Sequence, residues 1–179
     1  MEQNRPSFIH KSKKPYDVSE FERIEPTKIQ DGKEVPLDNF SYFQAYWTGK
    51  DWQISPVTTS DNNYDFGSIY IEDNSVWRII GTDGKGPQEY NTGGEVAMYV
   101  STDFGKTWKK ERQLTQNSEL NHCYPLRPVN ANPDFYALWA TGHGRQKSES
   151  TLYFCNKKGD VFELPRQMEG ETAKPRLVP

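Results

Sequence analysis

Cysteine, histidine and long apolar runs are all scarce in this chain. It has two cysteines and three histidines in 179 residues. Cys123 and Cys155 permit one disulfide at most, and we expect two unpaired thiols. No apolar stretch approaches the roughly 20 residues that a transmembrane helix requires, so we predict no membrane span. Residues 1–14 show no apolar core of a signal peptide, so the sequence leaves the cellular compartment unknown.

An excess of positive charge is also missing. The formal net charge is −3 and the isoelectric point is near 5.7. The basic surface that nucleic-acid binding requires is therefore not predicted. The sequence contains no HExxH, paired CxxC, GxSxG, P-loop or GxGxxG pattern, which weakens metalloprotease, zinc, serine-hydrolase and nucleotide-binding interpretations. We therefore predict neither a cofactor nor a bound metal.

Aromatic residues are abundant, at 13% of the chain, and large rings can build a core on pleated strands from few residues. Three aromatic segments align with one another. Their tyrosines Tyr46, Tyr99 and Tyr153 recur at intervals of 53 and 54 residues. A repeat of about 50 residues with strand-like content is typical of a β-propeller blade. The fold class predicted from this repeat is all-β, a partial propeller of about 2.5–3 four-stranded antiparallel blades.

The middle copy of the repeat carries an Asp-box at residues 101–108, with the sequence STDFGKTW. Asp103 is expected to accept hydrogen bonds from backbone N–H groups in the turn, and Gly105 permits a positive φ angle. Trp108 is expected to return and pack on the hairpin. We interpret this turn as a folding element and place Asp103 in no active site.

The chain divides into three parts. Residues 1–38 are predicted to form an irregular lead-in, in which residues 18–24 could make one or two helical turns. Residues 39–165 are predicted to hold the blades, and residues 166–179 an unpatterned tail. Closed propellers need at least four blades, so we expect missing blades or self-association to complete the ring.

The strongest chemical candidates lie in residues 121–127. His122 has the side chain that titrates near neutral pH. Tyr124 could form an acid–base pair with it, and Arg127 could hold a carboxylate. We predict these three residues as catalytic because a loop that leads into an inner strand lies near the propeller axis. The alternative is a loop that hydrogen-bonds only to itself.

A second set of polar residues lies in loops that we expect beside the first set. Amide and phenol groups suit sugar hydroxyls, and the glycine-rich residues 141–145 would let a ligand approach the backbone. The alternative is a solvated connection or a tight turn. The predicted substrate-binding residues are Asn63, Tyr64, Asp65, Gln88, Asn91, His143 and Arg145.

Several motifs together resemble the BNR-4 branch of the sialidase-like BNR/Asp-box propellers. They are NNYDFGS at residues 62–68, YNTGGE at 90–95, NHCYP at 121–125, RPVNA at 127–131, PDFYALWA at 133–140 and GHGR at 142–145. The resemblance covers residues 40–165 and looks like the C-terminal part of such a protein. It implies a seven-bladed propeller from a bacterial, usually exported, carbohydrate-active protein.

The resemblance implies an acidic polysaccharide as the partner. Some relatives are polysaccharide lyases that cut next to a uronic acid by β-elimination, which is the leading hypothesis. A cation such as Arg127 or Arg145 would then neutralise the uronate carboxylate, while His122 and Tyr124 would serve as base and acid. One alternative is an α-L-rhamnosidase that releases rhamnose linked to glucuronate. The other is a non-catalytic sugar-binding or scaffold propeller fragment.

Overall fold

The protein is built from strands throughout the part that the structure describes. This computed structural model describes residues 9–14, 19–24, 27–30, 33–36, 40–60, 67–72, 75–83, 86–88, 93–144 and 146–179. Within these residues there are fifteen strands and no helix, which confirms the all-β prediction. No described segment has the helical length and hydropathy that a membrane crossing requires.

The strands follow one another in short hairpin steps. In chain order they are β1 (Ile9–Ser12), β2 (Phe21–Ile24), β3 (Thr27–Gln30), β4 (Lys33–Pro36), β5 (Phe40–Trp47), β6 (Trp52–Ser60), β7 (Ser68–Ile71), β8 (Trp77–Asp83), β9 (Glu95–Ser101), β10 (Lys109–Gln113), β11 (Asn121–Leu126), β12 (Ala137–Gly142), β13 (Leu152–Cys155), β14 (Val161–Glu163) and β15 (Arg176–Val178).

These strands form two larger sheets and three separate hairpins. One sheet has the order β10-β9-β8-β7, and the other has the order β11-β12-β13-β14-β15. Every neighbouring pair is antiparallel. Each sheet is therefore a simple meander in which consecutive strands are neighbours, as tight turns between antiparallel strands allow. The hairpins are β1–β2, β3–β4 and β5–β6.

The Asp-box forms the turn between β9 and β10, as its sequence predicts. Asp103 Oδ1 accepts a hydrogen bond from the backbone N–H of Thr107 at 2.9 Å, and Asp103 Oδ2 accepts one from the Thr107 hydroxyl at 2.6 Å. Gly105 has a φ of 76°, and a Cβ there would lie 2.6 Å from the Trp77 ring. The turn thus caps the hairpin and lies against the ring of Trp77.

The main core lies between the two larger sheets. Ile80, Val96 and Met98 of the four-stranded sheet belong to one buried cluster with Trp139 and Cys155 of the five-stranded sheet. Tyr70 stacks on Tyr136 with ring centroids 4.1 Å apart, and the Tyr70 hydroxyl donates to the Tyr136 carbonyl at 2.6 Å. Since this core joins both sheets face to face, it fixes β11 against β8 and β9.

The structure corrects three expectations about local structure. The lead-in contains four short strands, β1 to β4, paired as hairpins. Phe21–Ile24, expected to be helical, is a strand in which Phe21 pairs with Ser12 and Arg23 with His10. Pairing with a second segment overrides a weak local helix preference. Arg176–Val178 adds a strand to the tail by pairing with β14.

Neither cysteine forms a disulfide, as predicted. Cys155 is fully buried in the core, and burial raises the pKa of its thiol to about 12. Cys123 is half-buried on β11. Cys155 therefore acts as a small apolar core residue and not as a reactive thiol.

Candidate functional site

The site predicted from sequence centres on β11, which the structure makes an edge strand of the five-stranded sheet. Sequence analysis treated this segment as a loop, but Asn121–Leu126 pairs with β12. The pairing is interrupted between Cys123 and Leu126 by a register shift. The strand therefore has two halves with different surroundings.

The first half carries His122, which is only 4% exposed. The Trp139 indole N–H donates to His122 Nδ1 at 2.9 Å, and His122 Nε2 lies 2.9 Å from the Ser118 hydroxyl oxygen. Burial lowers the pKa of His122 to about 4, and the nearby Glu95 carboxylate only partly opposes that effect. The imidazole is therefore neutral at physiological pH.

The hydrogen-bond partners also settle which nitrogen holds the proton. The Ser118 hydroxyl has one hydrogen, which it donates to Glu95 Oε2 at 2.8 Å. The indole of Trp139 can only donate, so Nδ1 of His122 must be the unprotonated nitrogen. His122 Nε2–H then donates to Ser118. His122 therefore cannot act as a general base on Ser118, and the Ser–His contact is not a hydrolase pair.

Glu95 completes this buried group of side chains. Its carboxylate accepts hydrogen bonds from the Ser118 backbone N–H at 2.8 Å and from the Thr115 hydroxyl at 2.6 Å, besides the Ser118 hydroxyl. Thr115 in turn accepts from the backbone N–H of Val96 at 2.9 Å. The network ties the start of β9 to β11. Sequence analysis missed the roles of Glu95, Ser118 and Trp139, because a partner that is distant in sequence leaves no local signal.

Gln88 also anchors the start of β11. Its Oε1 accepts from the Asn121 backbone N–H at 2.7 Å, and its Nε2 donates to the Glu119 carbonyl at 2.8 Å. The Asn121 carboxamide oxygen accepts from the Gln88 backbone N–H at 3.2 Å. Asn121 is completely buried. The polar groups of Gln88 thus bond to the protein, although sequence analysis predicted that they bind sugar.

A close backbone approach explains the glycines beside this anchor. Gly94 and His122 exchange two backbone hydrogen bonds, of 3.0 and 2.9 Å. Gly93 has a φ of 88°, and a Cβ at this position would lie 2.2 Å from the His122 carbonyl oxygen. Only glycine fits there, since both the backbone angle and the space exclude a side chain.

The second half of β11 carries Tyr124, whose φ of 54° is unusual for a residue with a side chain. Tyr124 falls in the register shift, and 51% of its surface is exposed. Its neighbour Pro125 is fully buried. A bulge re-aims a side chain out of the regular sheet, and a strained non-glycine residue favours a functional interpretation.

Arg127 follows β11 directly and is exposed. Its guanidinium carbon lies 5.2 Å from the centroid of the Tyr70 ring. Its backbone N–H donates to the Ser68 hydroxyl at 2.8 Å, and Nη1 makes a long contact of 3.4 Å with the Ile69 carbonyl oxygen. These contacts engage the backbone, one face of the guanidinium and Nη1, while the residue as a whole stays exposed.

The predicted residues do not form one cluster. His122 and Arg127 lie five residues apart on an extended segment, a span of roughly 16 Å, which exceeds one sugar ring. Tyr124 and Arg127 share the exposed half of the segment. His143 lies beyond the other end, directly after β12, with its backbone N–H donating to the Ser148 hydroxyl at 2.8 Å. The remaining predicted residues, Asn63, Tyr64, Asp65, Asn91 and Arg145, lie outside the described residues.

The described residues define the class of the protein: an all-β chain of face-to-face antiparallel meanders, with an exposed phenol and guanidinium beside a buried histidine network. Comparisons with protein families, with curated proteins and with solved structures find no match for this chain. Across the described part of the chain, no group of three His, Cys, Asp or Glu side chains is placed to hold a metal ion.

Proposed function

We propose that the chain supplies blades of a carbohydrate-active BNR/Asp-box propeller that acts on acidic polysaccharides, as a lyase that cleaves next to a uronic acid. The observation that carries the proposal is the exposed half of β11. Tyr124, re-aimed by its positive φ, stands three residues from the exposed Arg127. A phenol can donate or accept a proton, and a guanidinium matches the geometry of a carboxylate.

Two features of the fold support the propeller arrangement. The β7–β10 meander has four strands, and the β11–β15 meander repeats the same order with one extra strand. The Asp-box turn joins the third and fourth strands of the first meander, and a turn through Gly159, with a φ of 85°, occupies the same place in the second. Consecutive four-stranded meanders of this kind are the repeating unit of propellers.

The proposed reaction assigns each group a separate role. Arg127 would neutralise the uronate carboxylate, which makes the adjacent C5 proton more acidic. Tyr124, deprotonated, would remove the C5 proton and then donate it to the leaving oxygen, so that the C4–O bond breaks as the C4–C5 double bond forms. His122 was predicted as base or acid, but both its ring nitrogens are engaged, so that role requires it to lose one hydrogen bond. In the geometry described above, His122 positions the strand that carries Tyr124.

A panel of uronate-containing polysaccharides tests the proposal. β-Elimination creates a C4–C5 double bond that absorbs in the ultraviolet, so the expected result is a rising absorbance. Tyr124→Phe and Arg127→Ala should each remove this activity, while Arg112→Ala, on strand β10, should leave it unchanged. Saturated products, such as free rhamnose, would contradict elimination and favour a glycosidase.

A second candidate is a sugar-binding propeller without catalysis. The observation that favours it is the full engagement of His122, since the described residues then present no free imidazole at Tyr124. Binding of a uronate oligosaccharide without turnover, weakened by Arg127→Ala but not by Tyr124→Phe, would select this candidate. A chain that neither cleaves nor binds any acidic glycan would contradict both.

A further inference from the structure

A cavity of about 290 Å³ separates the hairpin β5–β6 from the four-stranded sheet. On the hairpin side it is lined by Gln44 and Val57, and on the sheet side by Ile79, Gly81 and Tyr99. Protein interiors are packed as closely as organic crystals, and voids larger than a water molecule are few. At the roughly 30 Å³ that each water molecule occupies in the liquid, this space holds about ten non-hydrogen atoms. It is therefore large enough for a small bicyclic organic molecule.

Two contacts hold the hairpin away from the sheet. In one, the rings of Tyr46 and Trp77 meet with their centroids 4.9 Å apart. In the other, the Tyr99 hydroxyl donates to the Thr58 hydroxyl oxygen at 2.9 Å. Because Thr58 pairs with Tyr42, these contacts lie four residues apart along β5, a distance of about 13 Å. The hairpin is thus supported at two separate points, and the space between them persists although no side chain fills it.

A glycine leaves part of the sheet side bare. Along β8, Trp77, Ile79 and Gly81 share the face towards the hairpin, because alternate residues of a strand point the same way. The nearest atoms to a Cβ on Gly81 would belong to Gly67 and Ile79, at 3.2 and 4.0 Å, so no atom of the hairpin lies within contact distance. Ile69 also lines the cavity and is 37% exposed, so a ligand can enter beside β7.

The Gln44 carboxamide is the polar group that would give this cavity its selectivity. Gln44 is 7% exposed, and its Oε1 is buried without a hydrogen-bond partner among the described residues. Such an acceptor has lost its hydration without replacement, which is unfavourable. The hydroxyls of Tyr99 and Thr58 are already used, since Tyr99 donates to Thr58 and Thr58 donates to Asp83 Oδ1 at 3.2 Å. A donor on a bound molecule would satisfy Gln44.

We infer that this cavity binds a small aromatic molecule with a single hydrogen-bond donor, of the phenol class, and that Gln44 Oε1 accepts from that donor. The lining consists mostly of apolar and aromatic side chains and glycine, which favours an aromatic body. A sugar ring carries several hydroxyls, and this lining would leave most of them without partners. No lining residue belongs to β11, so the inference goes beyond the proposed function and does not rest on it.

Titration of the full chain with 2-naphthol and with naphthalene, followed by the NMR signals of the probes, tests this inference. The two probes have nearly the same shape, and only 2-naphthol carries a hydroxyl. We expect both to bind at one saturable site, with 2-naphthol about tenfold tighter because of its hydrogen bond to Gln44. If neither probe binds, the inference is wrong.

Two substitutions that fill the cavity locate the binding. Gly81→Val adds a side chain from the sheet, and Val57→Phe adds volume from the hairpin, so each should abolish binding of both probes. Circular dichroism identifies a variant that fails to fold, and the other variant then decides. A folded variant that binds the probes like the wild type would show that they bind elsewhere and would overturn the inference. Cleavage or binding of acidic glycans should not change in either variant, so a negative result here leaves the proposed function standing.

Gln44→Leu tests the acceptor. Leucine nearly keeps the size of the side chain but removes its oxygen, so naphthalene should bind as in the wild type and the tenfold preference for 2-naphthol should disappear. Gln53→Leu is the matched control on the same hairpin. Gln53 lies outside the lining, and its Oε1 accepts from the Tyr46 hydroxyl at 2.9 Å, so this variant should keep the preference. A preference that survives Gln44→Leu would overturn the assignment of Gln44 as the acceptor.

Discussion

The two halves of β11 differ in their pairing with β12 and in the exposure of most of their side chains. Asn121 and His122 are buried, and both are hydrogen-bonded to other groups of the chain. Tyr124 and Leu126 are more than half exposed, and the pairing with β12 is interrupted between the two halves. One half therefore serves stability, and the other is available to a ligand.

The difference shows why residue type alone is a poor guide to a site. A histidine is the usual candidate for acid–base chemistry, yet here the burial that lowers the pKa of His122 also surrounds it with fixed partners. Buried polar networks of this kind specify a unique packing when every member is satisfied. The less conspicuous Tyr124 combines exposure with a strained backbone, a combination that is enriched at functional sites.

The largest effect on stability is expected from the substitution His122→Ala. The variant removes a buried ring and leaves the Trp139 indole N–H and the Ser118 hydroxyl without their partner. A cavity and an unsatisfied donor together should lower the free energy of unfolding by about 3–5 kcal/mol. Urea unfolding followed by tryptophan fluorescence measures this loss.

His143→Ala is the matched control for the histidine substitution. His143 is less buried, so the expected change is within about 0.5 kcal/mol. If His122→Ala unfolds at the same urea concentration as the wild type, the buried half of β11 does not stabilise the fold. The claim that the two halves have different roles would then be wrong.

The second largest effect on stability is expected from pH, through the titration of His122. The pKa of His122 is lowered from 6.5 to about 4 in the folded protein, so between these values the unfolded chain takes up a proton that the folded chain does not. The free energy of unfolding should fall as the pH drops through this window, by up to about 3 kcal/mol. Urea midpoints measured between pH 7 and pH 4 give the slope.

The His122→Asn variant separates this histidine from other titrating groups. Its slope between pH 6.5 and pH 4.5 should be flatter than that of the wild type. Glu72 and Asp103, whose pKa values are lowered chiefly by hydrogen bonds that outweigh burial, contribute stability that is lost only at lower pH. Equal slopes in the two proteins would show that His122 is not held neutral.

A smaller effect is expected from Gln88→Ala. The variant leaves the buried Asn121 N–H without its acceptor, which should cost about 1–2 kcal/mol in the free energy of unfolding. Sugar affinity should not change, because the Gln88 amide is occupied by the protein. A variant of wild-type stability with weakened glycan binding would instead support the sequence-based prediction that Gln88 contacts the substrate.

Much of the fold could be predicted from the sequence because its signals are local. The repeated aromatic segments indicated an all-β chain, and the Asp-box placed the turn between β9 and β10. The first four strands were not predicted because each has only four residues and depends on its partner. β11 was mistaken for a loop because its proline and its bulge interrupt the alternation.

The site was less predictable because its contacts are distant in sequence. The partners of His122 lie 4 and 17 residues away, and the Gln88–Asn121 contact spans 33 residues. Composition singles out titratable residues but does not show which are buried. The sequence therefore selected residues 121–127 as a candidate segment without separating its buried half from its exposed half.

The smallest effect on stability is expected from Arg127→Ala, which tests the exposed half of β11 as His122→Ala tests the buried half. The side chain contributes a cation–π contact with Tyr70 and one long hydrogen bond. At an exposed position these are together worth at most about 1 kcal/mol.

If the exposed half serves function, the same variant should lose most of its affinity for uronate oligosaccharides, measured by calorimetry. Arg127→Lys should keep the stability but recover only part of the affinity, since an ammonium cannot bind a carboxylate in the bidentate manner of a guanidinium. A large loss of stability with intact binding would show that both halves of β11 are structural.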